Sequence, residues 1–104
     1  MGFLSSSTLP ESTATARTKT IYNVALGPVD TEQSLVLPSN IVGYQIKTRG
    51  FASLKLSHTS GQSGTLYETI SGGAVLTDEH SYTGLTIYFQ SPTTSDVVEI
   101  VTWT

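Results

Sequence analysis

Cysteine is absent from the chain, which rules out a disulfide framework, a thiolate metal site and a cysteine nucleophile. Charge is scarce: five basic and eight acidic side chains make 12% of 104 residues, against about a quarter in an ordinary soluble domain. A formal net charge of −3 leaves no cationic excess to neutralise phosphates, so nucleic acid is not an expected partner. No apolar run approaches the ~20 residues that span a bilayer, and the first twenty positions lack the basic start and apolar stretch of a secretory leader. The expectation is a soluble product made in the cytoplasm, with no membrane partner and no cofactor.

Serine and threonine fill the gap, at 31 of 104 residues. A chain rich in Thr and poor in Lys and Glu favours strands, because β-branched side chains pack well on a pleated surface and crowd a helix. The length is that of one domain with one modest core.

Residues 1–17 (MGFLSSSTLPESTATAR) have neither helical nor strand periodicity, and Pro10 blocks a continuous helix. Phe3, Leu4 and Leu9 stand alone in a Ser/Thr background, too little apolar area to offset the entropy of ordering the segment on its own. Segment 1–17 reads either as a frayed tail or as an extended arm that gains order on another polypeptide, and we take the second reading. Phe3, Leu4 and Leu9 would be its pegs, and Arg17 and Lys19 the charges beside them.

From residue 18 the pattern is that of strands, and 18–104 reads as the folded domain. Segment 18–26 is closed by Gly27-Pro28, and 33–37 by Pro38-Ser39-Asn40. Segment 41–48 alternates, with Val42, Tyr44 and Ile46 on one face and Gly43, Gln45 and Lys47 on the other; 52–58 repeats that period. After the turn Ser60-Gly61-Gln62-Ser63-Gly64 come 65–70, a brief 74–77, a polar loop over 78–83, then 85–90 and 97–103. About eight short strands with regular turn signals and no helical stripe predict an all-β fold, an antiparallel two-sheet sandwich of jelly-roll type. The expected core is Val42, Tyr44, Ile46, Leu54, Leu56, Leu66, Ile70, Leu85, Ile87, Phe89, Val98 and Ile100. It is small for the length of chain to be ordered, which favours association of copies.

Reactive groups are few. His58 runs in phase with Leu54 and Leu56 and reads as a hydrogen-bonded edge histidine. Asp78-Glu79-His80 loosely suggests a metal triplet, yet neighbouring side chains on an extended loop are expected to diverge, so no metal is expected. Ser63 lacks the spacing and the strand-to-helix elbow of a hydrolase nucleophile. Glu68 and Glu99 fall in strands on faces expected to be solvated, within reach of Lys47, Arg49 or Lys55 across a sheet. This roster has no catalytic residues to offer, and the chain is not expected to be an enzyme.

The aromatics point elsewhere. Tyr22, Tyr67, Tyr88 and Trp103 fall out of phase with the apolar faces of their strands, and exposed Tyr and Trp suit contact surfaces or sugar stacking. Charge is lopsided as well. All five basic residues lie at or before Lys55, giving +2 there, and the five acids after it give −5, a basis for complementarity between copies.

The order Ile41-Val42-Gly43-Tyr44-Gln45-Ile46, Leu54-Lys55-Leu56-Ser57, Ser60-Gly61-Gln62-Ser63-Gly64-Thr65-Leu66-Tyr67 and Ser71-Gly72-Gly73, ending in Leu85-Thr86-Ile87-Tyr88-Phe89-Gln90-Ser91 and Val98-Glu99-Ile100-Val101-Thr102-Trp103, resembles small head decoration (cement) proteins of tailed bacteriophages. The resemblance covers about 60% of the chain. It implies a β-sandwich on the capsid surface of a virion, binding the major capsid protein, self-associated as a homotrimer and without catalytic residues. Tyr88 and Trp103 would then serve contacts between copies. The rival expectations are a tail, baseplate or head-fibre component of the same kind of particle, and a carbohydrate-binding β-sandwich module.

Overall fold

The computed structural model describes residues 17–104. Eight strands follow in order: β1 (Lys19–Ala25), β2 (Gln33–Val36), β3 (Gly43–Thr48), β4 (Leu54–Ser57), β5 (Glu68–Ile70), β6 (Leu76–Asp78), β7 (Thr86–Gln90) and β8 (Val97–Trp103). No helix occurs among the described residues. One sheet has the order β1-β8-β3-β6 and the other β2-β7-β4-β5, with every pair antiparallel. Successive strands change sheet except at the β4–β5 hairpin, and this order is that of a jelly roll. The expected fold class is the one found.

Period-2 alternation explains the layering. Along β8, Val98, Ile100 and Thr102 are buried while Val97, Glu99, Val101 and Trp103 face outward; β7 buries Ile87 and Phe89 between Thr86, Tyr88 and Gln90. The core between the sheets is built on Tyr44, Ile46, Leu54, Ile87, Phe89, Val98 and Ile100, each almost fully buried.

Three expected positions differ. Leu66 is exposed, because Thr65 and Leu66 donate back to the Gln62 carbonyl in a turn and β5 begins only at Glu68. Val42 is half-buried and Ile41 takes the core place: Val42 N–H donates to the Trp103 carbonyl although Gly43 is the residue in register with Trp103. Two residues of the β3 segment thus oppose one of β8, and that extra residue reverses the inside–outside phase. Tyr22 packs against the core rather than facing solvent, with Thr20 and Val24, while Ile21 is 59% exposed. Leu26, Leu37 and Ala52, outside the expected set, complete the core.

Two carboxylates tie the loops to this frame. Asp96, after the left-handed Ser95 (φ 63°), accepts backbone bonds from Gly50 (2.8 Å), Ala52 (3.0 Å) and Val97 (2.7 Å). The Gly50 bond, with those of Ala52 and Val97, holds its carboxyl below the ordinary value. Glu32 accepts from the Ser63 hydroxyl and from the amides of Gly61 (2.8 Å) and Ser63 (3.0 Å), fastening the β4–β5 turn to the start of β2.

Candidate functional site

The outer face of the β1-β8-β3-β6 sheet gathers side chains that are far apart in sequence. Register aligns Lys19 with Trp103 and Gly43, Ile21 with Val101, Gln45 and Thr77, and Asn23 with Glu99 and Lys47. Arg49 extends the last rows, its amide bonded to the Val97 carbonyl at 2.8 Å. Four of the five basic residues, Arg17, Lys19, Lys47 and Arg49, therefore stand on or beside one face. Its central carboxylate is Glu99, 2.8 Å from Arg49 Nε and 3.5 Å from Lys47 Nζ. The Arg49 hydrogen bond, aided by the Lys47 charge, holds the Glu99 carboxyl below its usual range. Lys19 and Arg17 have no such partner among the described residues.

At the upper end of this face a groove of about 280 Å³ runs past Trp103, floored by Val42 and Gly43 and flanked by Arg17, Asp78 and Glu79. Glycine is needed at position 43, since a Cβ there would stand 2.9 Å from the Asp78 carbonyl oxygen as β6 closes in. Below the groove, Val101 and exposed Ile21 continue an apolar stripe between the charges. Basic side chains thus gather on this face, in a chain whose formal net charge is −3.

The opposite outer face is neutral in its centre. Tyr88 lies between Ser34 and Ser57, and Gln90 beside Lys55. Lys55 sits over the Tyr67 ring, 4.8 Å from its centroid, leaving Tyr67 42% exposed. Tyr88 and Trp103 are thus on opposite sides of the sandwich, and no single contact patch holds both. Phe3, Leu4 and Leu9 lie outside the described residues; Arg17 and Lys19 are brought together beside Trp103.

A second cluster closes one end of the sandwich. The Tyr44 hydroxyl is 2.7 Å from His58 Nε2, and the His58 and Tyr82 rings meet edge to face at 5.6 Å. Tyr82 donates to Asp78 Oδ2 at 2.7 Å and His80 Nδ1 contacts Asp78 Oδ1. Positions 78, 80 and 82 share one side of an extended segment, so these three side chains converge, while Glu79 between them makes no bond to the cluster. Burial opposes ionisation of Asp78, but its hydrogen bonds from His80 and Tyr82 outweigh that and keep the carboxyl below its ordinary value. The bond to Asp78 pushes the Tyr82 phenol up to about 12, and burial raises that of Tyr44.

Catalytic geometry does not assemble from the groups considered. His58 and Glu68 border one cleft of about 320 Å³, whereas Glu99 sits on the other sheet's outer face. Ser63 is buried and bonded to Glu32, a carboxylate that the Ser63 hydroxyl itself holds low and that is therefore a weak base. Among the described residues no three His, Asp or Glu side chains are placed to hold a metal ion. No family model, no curated protein and no solved structure matches this chain.

Proposed function

We propose that this chain is a virion structural protein, a capsid decoration protein that binds and stabilises the shell built by a major capsid protein. The observation that carries the reading is the outer face of the β1-β8-β3-β6 sheet, where Arg17, Lys19, Lys47 and Arg49 surround Ile21, Val101 and Trp103. A sheet face of mixed cationic and apolar side chains suits another protein's surface better than a small molecule, and its cationic bias suits an acidic one. Repetition over a shell lets individually modest contacts add up. The jelly roll is at home in capsid proteins and in lectins alike, so the fold supports the reading without singling it out.

The test is the copy number in purified particles, read by gel densitometry against the major shell subunit. Near-equal stoichiometry supports decoration; a handful of copies supports a tail, baseplate or head-fibre role; absence from particles rejects both. A second reading, a carbohydrate-binding module, rests on the cleft between His58, Leu66, Tyr67 and Glu68, whose exposed ring and polar rim suit a sugar. Binding on a glycan array that is lost in Tyr67→Ala would favour it.

A further inference from the structure

Four strands form the edges of the two sheets, and three of them are short: β2 has four residues, β5 and β6 three each. Shortness is one way in which proteins blunt an edge against pairing with another chain. β1 is different. It runs for seven residues without proline or glycine, and no strand among the described residues pairs its outer side.

The hydrogen bonds that flank β1 define which backbone groups that outer side presents. Thr18 and Thr104 exchange both of their bonds (3.1 and 2.9 Å), and Leu26 N–H donates to the Asp96 carbonyl at 2.9 Å. In an antiparallel ladder bonded pairs alternate, so residues 18, 20, 22, 24 and 26 turn their amides and carbonyls to β8. Lys19, Ile21, Asn23 and Ala25 turn theirs away. The Ala25 carbonyl is already taken: the Gln33 side chain donates to it at 2.9 Å while accepting from Gly27 N–H at 3.0 Å. The uncapped run of this edge is therefore Lys19, Ile21 and Asn23, with three amides and three carbonyls, beside the lone amide of Ala25.

We infer that this edge pairs with the same edge of a second copy, antiparallel and centred on Ile21, to give one continuous eight-stranded sheet. In this register Ile21 faces Ile21 of the second copy and Lys19 faces Asn23. The twelve groups of these three residues in the two copies are then consumed in six hydrogen bonds, and the Gln33 cap on the Ala25 carbonyl stops the pairing at both ends. A one-step slip leaves groups unmatched. Charge agrees with the register: Lys19 of the second copy comes beside Asn23, next in its row to Glu99, and no lysine faces a lysine. The apolar row becomes Val101–Ile21–Ile21–Val101, covering a side chain that is 59% exposed in the single copy. A twofold axis normal to the sheet keeps both cationic faces on the same side, as an isologous contact requires. Only edge groups and one apolar row are buried, so the pairing is weak and concentration-dependent in solution. The inference stands apart from the virion reading and survives its failure.

Sedimentation of the full chain over a concentration series tests it. The expected result is a reversible monomer–dimer equilibrium that Ile21→Pro abolishes while circular dichroism and the melting temperature hold, because the Ile21 amide is outside the β8 ladder. Cysteine scanning supplies a readout independent of the folding of that variant, as the chain has no thiol of its own. Ile21→Cys should form a disulfide dimer under mild oxidation, as should a mixture of Lys19→Cys with Asn23→Cys, whereas Asn23→Cys alone should not. A strict monomer at all concentrations, a trimer mass, or equal crosslinking at positions 21 and 23 overturns the inference.

Discussion

The buried hydroxyl of Tyr44 finds its hydrogen-bond partner in His58, 2.7 Å away, on a side chain that itself faces solvent. The pair links β3 of one sheet to the end of β4 in the other. Its two halves are not equivalent. Tyr44→Phe removes the hydroxyl and frees His58 to water, and should cost about 0.5–1.5 kcal/mol. His58→Leu keeps the hydroxyl but covers it with hydrocarbon, and should cost about 1–3 kcal/mol. The double variant should fall close to Tyr44→Phe alone. Urea denaturation of the four proteins gives the cycle; additive losses would show that the bond does not couple the sheets.

Thr102 is fully buried on the inner face of β8, and its Oγ1 has no hydrogen-bond partner among the described residues. Valine has the same shape and no hydroxyl to desolvate. Thr102→Val should therefore raise stability by about 1 kcal/mol, and a loss of that size would reveal a partner for the hydroxyl.

Gly72 is held against the chain at Phe51, where a Cβ would stand 2.1 Å from the Phe51 carbonyl oxygen. Both sides of that contact are backbone or directly attached to it, so neither can swing away. Gly72→Ala should destabilise by about 1–3 kcal/mol or more. Gly84 has open space around its Cβ position and no positive φ, and Gly84→Ala should be neutral or gain about 0.4–1 kcal/mol by restricting the unfolded chain. Thermal melts should fall for Gly72→Ala and hold or rise for Gly84→Ala.

Acid should loosen the molecule through Asp96. Its carboxyl titrates lower in the folded chain than in the unfolded one, because the Gly50, Ala52 and Val97 amides stabilise the charged form. Its contribution is complete above the unfolded value of about 3.9 and is lost as pH falls through the lower folded value. Glu32, bound by Ser63, acts in the same direction. Asp96→Asn should be less stable at neutral pH, since its amide turns a donor toward a backbone donor, and should lose less on acidification. Denaturation midpoints between neutral and acid pH read both effects; parallel curves for the two proteins would refute the assignment.

Alternation and Gly/Pro punctuation made the eight strands and most of the core readable in advance, as in Leu54–Leu56, Ile87–Phe89 and Val98–Ile100. Where reading failed, a local pattern was overruled by something it does not encode. The extra residue opposite Trp103 exchanged Ile41 for Val42, and the turn bonds to Gln62 carried Leu66 out to solvent. Ile21 and Tyr22 are both apolar, so only pairing with β8 decides which of them turns inward. The cationic face was half visible, in the alternation of Lys47 and Arg49. Its counter-ion Glu99 was expected within reach of Lys47, Arg49 or Lys55, and strand order selects the first two. The convergence of Asp78, His80 and Tyr82 did carry a signal, the i, i+2, i+4 spacing of one side of an extended segment.

Thr18 and Thr104, bonded to each other across the first and last strands, bring the two ends of the folded body to a single corner. An affinity handle or fluorescent reporter fused directly after Thr104 would therefore stand over Trp103 and its groove and shield the cationic sheet.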